Sequence, residues 1–137
     1  MKKLGLDLGN RTLGIAVSDE LNFLARGLET YRFEEQDFKK ALDYTVSLIK
    51  QYTIDVVVLG HPKNMDGTTG AQAQICEDFK KNLEELIPVK VHLWDERLTS
   101  KMASNMMISQ NLKRKNRKKD IDKMAAVIIL QGYLDSL

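Results

Sequence analysis

The stretch from Leu4 to Ser18, LGLDLGNRTLGIAVS, constrains the fold more than any other part of the chain. Leu4, Leu6 and Leu8 alternate with Gly5, Asp7 and Gly9, which is the period of a strand. Gly9 and Asn10 both tolerate a positive φ and predict a tight turn. Leu13 to Val17 then predicts a second strand, so the chain opens on a hairpin. Asp is rare inside strands, yet Asp7 stands there among glycines. Two readings stay open on this stretch alone. Asp7 ends a strand or caps a turn, or it faces a space that a ligand, a metal or a nucleic-acid backbone can enter.

The remaining chain alternates strands with helices. Residues 25–33 predict a third strand, antiparallel to the second. Phe38, Ala41, Leu42, Thr45, Leu48, Ile49 and Tyr52 recur at three and four and predict an amphipathic helix over residues 35–52. Residues 55–60, DVVVLG, read as a strand buried on both faces. Residues 61–70 form a loop, punctuated by Pro62 and Asp66-Gly67. A second helix runs through Cys76, Phe79, Leu83 and Ile87 and is stopped by Pro88. Residues 89–94 give a fifth strand, ending in Asp95-Glu96-Arg97. Thr99 is a candidate N-cap for a helix to about Asn111, a basic loop follows, and residues 120–137 give the last helix. This order predicts one α/β domain over residues 1–137, with antiparallel pairing among the first strands.

Composition narrows the class. The net charge of +2 is too small to imply nucleic acid by itself. Its distribution does more: Lys113, Arg114, Lys115, Arg117, Lys118 and Lys119 crowd one short segment with little aromatic interleaving. That composition suits contact with phosphates rather than stacking on bases. A single cysteine, Cys76, allows no internal disulfide and is expected in the core of a cytoplasmic protein. No apolar run approaches the roughly 20 residues that span a bilayer, so no membrane role is expected.

Three acidic positions stand out by placement. Asp7 lies in the first strand, and Asp95-Glu96 ends the last one, where ligands of open α/β sheets gather. Asp122 shares a helical face with Ala125, Ala126 and Ile129, and two alanines let that face approach a sheet closely. Complementing the helix dipole is the other reading of Asp122. Asn10, Arg11 and Thr12 build the first turn or touch a phosphate. Amides of Asp66, Gly67 and Thr68 bind phosphate or only position the next helix. His61 is given no role, His92 is expected on the strand surface and Trp94 in the core.

Four segments, LDLGNRTLGIAVSD, GHPKNMDGTTG, DERLTS and DIDKMAAVIILQGYLDSL, together resemble the YqgF (RuvX) family of bacterial proteins. Members are described as Holliday junction resolvases or pre-16S rRNA nucleases. The resemblance implies a ribonuclease H-like fold: a five-stranded mixed sheet, first three strands antiparallel, with helices on both faces. It implies an acidic triad at Asp7, Glu96 and Asp122, holding Mg²⁺ or Mn²⁺, two ions in all. Such carboxylates suit hard cations, which stabilise the attacking and leaving oxygens of a phosphodiester displacement. Asp95 is the rival of Glu96; it shares strand parity with Leu93 and Val91, the expected core side. The implied partners are structured RNA such as pre-rRNA, or branched DNA. They would be met by Arg11, Lys63, Arg97 and the basic run of Lys113, Arg114, Lys115, Arg117, Lys118 and Lys119, on a monomer or weak homodimer. Other readings are a non-catalytic RNA-binding assembly factor and an ATP-handling fold of the sugar-kinase type. The latter needs two such domains, for which 137 residues are too few.

Overall fold

The computed structural model describes residues 1–62, 70–95 and 114–137, and in the last helix describes side chains from Lys123 onward. Among the described residues eight elements follow one another: β1 (Lys2–Leu8), β2 (Thr12–Ser18), β3 (Ala25–Arg32), α1 (Phe38–Tyr52), β4 (Ile54–His61), α2 (Ala71–Leu86), β5 (Lys90–Asp95) and α3 (Arg114–Asp135). The strands form one sheet in the order β3-β2-β1-β4-β5. β2 runs antiparallel to both β1 and β3, whereas β4 is parallel to β1 and β5 to β4. The carboxyl ends of β1, β3, β4 and β5 therefore share one edge of the molecule.

Alternation in the strands divides the core into two layers. Leu4, Leu6 and Leu8 of β1, Leu13, Ile15 and Val17 of β2, and Val57 and Leu59 of β4 pack under α1 and α2. From the helices come Ala41, Leu42, Leu48 and Ile49, then Cys76, Phe79 and Leu83. On the opposite face Ala16 and Val58 meet Ala126, Ile129, Leu130 and Leu134 of α3. A fully buried side chain of this size contributes roughly 1.5–3 kcal/mol. Cys76 is buried and in no disulfide, in the core as its sequence context implies.

α3 reaches the sheet because the sheet has no side chains in its way. Gly5, Ala16 and Gly27 pair in one row across β1, β2 and β3. A Cβ on Gly5 would lie 2.6 Å from the Leu130 Cβ and 2.9 Å from the Ala126 carbonyl oxygen. The helix is thus seated almost on the backbone of β1. Lys123 lies over Gly27, while Gln131, two turns later, accepts from the Ala25 N–H and donates to the Phe23 carbonyl. α3 therefore runs antiparallel to β3 and to β1, with its N-terminal half toward the strands' carboxyl ends.

The structure corrects several expectations. Arg114, Lys115, Arg117, Lys118 and Lys119 are not a loop but the first turns of α3, which starts at Arg114 rather than near 120. Arg and Lys are good helix formers, and no Gly or Pro stands between 113 and 131 to break the run. α1 starts at Phe38 rather than near 35, because Gln36 takes φ 63° and turns the chain first. His92 is not on an open strand surface: its ring lies 5.3 Å from Tyr133 of α3. Trp94, only partly buried, packs edge-on against Tyr133 as well. The helix expected over residues 99–111 lies outside the described residues.

Gly5→Ala should lower stability by about 1–3 kcal/mol, as overpacked sites do. The steric partner is a helix carbonyl that cannot swing aside. Gly27→Ala meets only the flexible Lys123 side chain and should be near neutral. Urea unfolding checks this; equal midpoints for Gly5→Ala and the wild type would contradict the close approach.

Candidate active site

Asp7 sits one residue before the end of β1 and is partly buried. Strand alternation turns it to the same side as Gly5, the side that carries α3. Its partner across β2 is Gly14. On the other flank Leu6 pairs with Leu59, so the next residue of β4, Gly60, runs beside Asp7. The carboxylate thus stands in a row whose two neighbours have no side chain. An acid inside a strand costs stability unless its charge is met.

Asp122 belongs to α3. Position 122 precedes Ala126 by one helical turn, roughly 6 Å along the axis. Position 7 follows Gly5 by two strand residues, roughly 6.6 Å. Ala126 touches Gly5, and helix and strand are antiparallel, so both steps lead the same way. The two positions therefore advance together toward the carboxyl edge of the sheet.

Asp95 ends β5, pairs in register with His61 and is exposed. Its parity with Val91 and Leu93 is as read from the sequence, but at the strand end that parity does not bring it into the core. Glu96, Lys63, Arg97 and Lys113 lie outside the described residues, as does the 66–68 stretch. Among the described residues no three His, Cys, Asp or Glu side chains gather into a metal-binding group.

Two local features brace the carboxyl edge. The Gln72 side chain in the first turn of α2 donates a 2.8 Å hydrogen bond to the Leu8 carbonyl, which ties that helix to the end of β1. The Gly9 N–H donates to the Thr12 carbonyl at 2.8 Å and closes the β1–β2 turn. His61, passed over in the sequence, is buried on the α2 side with its Nε2 3.8 Å from Glu77 Oε1. That nitrogen has no hydrogen-bond partner among the described residues. A His ending an apolar strand was the available signal, but it faces away from Asp7. Arg11 is ion-paired with Glu35, a partner that no spacing announces.

Sheet order, strand directions and an acidic β1 facing the last helix define a ribonuclease H-like fold. Thermus thermophilus RuvC in complex with a Holliday junction superposes with a TM-score of 0.63 at 15% identity, covering 99% of this chain and 94% of that one. The fowlpox virus Holliday junction resolvase gives 0.62 at 17% identity, with both chains fully covered. Two relatives with the name "Putative pre-16S rRNA nuclease", from Bacillus thuringiensis (strain Al Hakam) and Bacillus anthracis (strain A0248), are 48% identical over 136 residues, 99% of each chain. A family model described as "RuvX: Holliday junction resolvase" matches residues 1–136. The chain belongs to the RuvX family.

Gln72→Met removes the donor to the Leu8 carbonyl and keeps the side-chain length. It should cost roughly 0.5–1.5 kcal/mol. Amide exchange near Leu8 and Gly9 should speed up with it. Unchanged exchange there would show that α2 does not brace the end of β1.

Proposed function

We propose that residues 1–137 form one nuclease domain that hydrolyses phosphodiester bonds in structured nucleic acid, with Asp7, Glu96 and Asp122 as its acidic site. The observation that supports this reading is Asp7 between two glycines on the sheet face that carries α3, with position 122 advancing toward the same edge.

Carboxylate oxygens fit Mg²⁺ or Mn²⁺, hard cations that take oxygen ligands. Bound there, such an ion acts as a Lewis acid on the phosphoryl oxygens and lowers the pKa of water. The chain's own groups do the remainder. The three carboxylates supply negative charge, and the seating of α3 on β1 keeps the elements that carry Asp7 and Asp122 in fixed relation. The cationic first turns of α3 precede Asp122 on the same helix and draw the phosphate backbone toward it. Arg11, in the turn three residues past the β1 strand, adds one more cation. None of these contacts reads base identity, so selection rests on backbone shape.

Pre-16S rRNA is the substrate we favour, on the name of relatives 48% identical over nearly the whole chain. A second reading, cleavage of four-way DNA junctions, is favoured by the family description. Cytoplasmic action suits either substrate. Among the described residues no helix is long and apolar enough to cross a membrane.

Offered structured RNA, single-stranded RNA and four-way DNA junctions with Mg²⁺ or Mn²⁺, the purified protein should cleave a structured substrate. Asp7→Asn should fold normally and lose more activity than the roughly 10–100-fold typical of an outer-shell change. Wild-type cleavage by this variant, in a nuclease-free preparation, would remove Asp7 from the chemistry.

The basic turns give a separate expectation. Replacing Lys115, Arg117 and Lys118 together with Gln should flatten the plot of log affinity against log salt by up to about three units, near one per lost phosphate contact. Filter binding across a salt series measures it. An unaltered slope would mean that these cations point to solvent.

A further inference from the structure

Arg11 is the one cation of the proposed nucleic-acid surface whose side chain is described, and it is already engaged. Its Nη2 lies 3.0 Å from Glu35 Oε2. Both side chains are well exposed, at 70% and 57%. An exposed pair on mobile loops would mean little. This pair is bracketed by backbone hydrogen bonds. The Phe33 N–H donates to the Arg11 carbonyl at 2.9 Å, and the Gln36 N–H donates to the Asn10 carbonyl at 2.8 Å. These two backbone bonds bracket Glu34 and Glu35 on one strand of chain and clasp Asn10-Arg11 on the other. Gln36 at φ 63° and the bond from the Asp37 N–H to the Glu34 carbonyl fold the bracketing segment into a tight turn. The carboxylate is thus held within reach of the guanidinium by the backbone, which lowers the entropy lost in forming the pair.

We propose that Glu35 is a specificity-determining residue that acts through Arg11: its carboxylate occupies the guanidinium in the place of a substrate phosphate. Guanidinium binds carboxylate and phosphate by the same forked geometry, so the two compete for it. A phosphodiester that takes Arg11 must displace Glu35. Only a backbone delivered to the turn by its other contacts does so, whereas a loosely bound polyanion does not. Glu35 thereby suppresses unselective binding at the edge next to Asp7. The inference rests on the nuclease reading, since it takes Arg11 as a phosphate contact.

Binding without cleavage tests it, using the full chain, a four-way DNA junction and a structured RNA hairpin, in EDTA at about 0.1 M salt. There charges are screened beyond roughly 10 Å. Glu35→Gln should tighten binding about two- to fivefold, the size expected when an exposed pair of up to ~1 kcal/mol no longer competes. In an Arg11→Ala background the same change should alter affinity by less than about 1.5-fold, because the cation it blocks is gone. Glu34→Gln removes the same charge one residue away and should also have little effect. A purely structural role for Glu35 would weaken binding and lower the unfolding midpoint instead. Equal tightening by Glu34→Gln, or equal tightening with and without Arg11, would overturn the proposal in favour of a general charge effect. If the wild type binds neither nucleic acid, the nuclease reading fails and this inference with it. Wild-type binding with no coupling between residues 11 and 35 overturns this inference alone.

Discussion

The fold hangs on the contact between Gly5 and α3. With a hypothetical Gly5 Cβ only 2.6 Å from Leu130, the helix lies against the β1 backbone as closely as packing permits. Such a seat tolerates little sliding. It sets how far along β1 the helix lies, and so which part of α3 is carried to the carboxyl edge. Gly5, Ala16 and Gly27 make the seat a row rather than a point, and Ala126 is the matching small residue on the helix. The proposed acidic site depends on this contact, because Asp7 and Asp122 belong to the two elements it joins.

The same economy explains the glycines around Asp7. Gly14 and Gly60 contribute no side chain to the row on either side of the carboxylate. A sheet would be firmer with β-branched residues there. Local preference is given up next to the acid, while two residues toward the strand start the same face is sealed by Val58, Leu130 and Ala126.

Much of this was legible in the sequence. The period-two leucines of β1 and the small-residue face Ala125-Ala126-Ile129 behave as their spacing implies, and among the described residues the element order and antiparallel opening hold. Three features were not legible, each for a physical reason. The run from Arg114 to Lys119 carries no apolar period, so nothing in it signals a helix; good intrinsic propensity continued by an apolar helix makes one. His92 looks like an outward strand residue until α3 covers it with Tyr133. Arg11 and Glu35 lie 24 residues apart and meet only because the backbone of 33–36 clasps the first turn. Tertiary contacts of that kind leave no local trace.

The central claim is that the acidic site lies where β1 meets the N-terminal half of α3. Paramagnetic broadening by substoichiometric Mn²⁺ in amide NMR spectra tests it directly. Resonances of Leu6 to Leu8, Gly14 and Gly60 should broaden together with those near Asp122, and Asp7→Asn should abolish the effect at all of them. Broadening confined to other surface carboxylates, or effects at β1 and α3 that survive Asp7→Asn, would contradict the account.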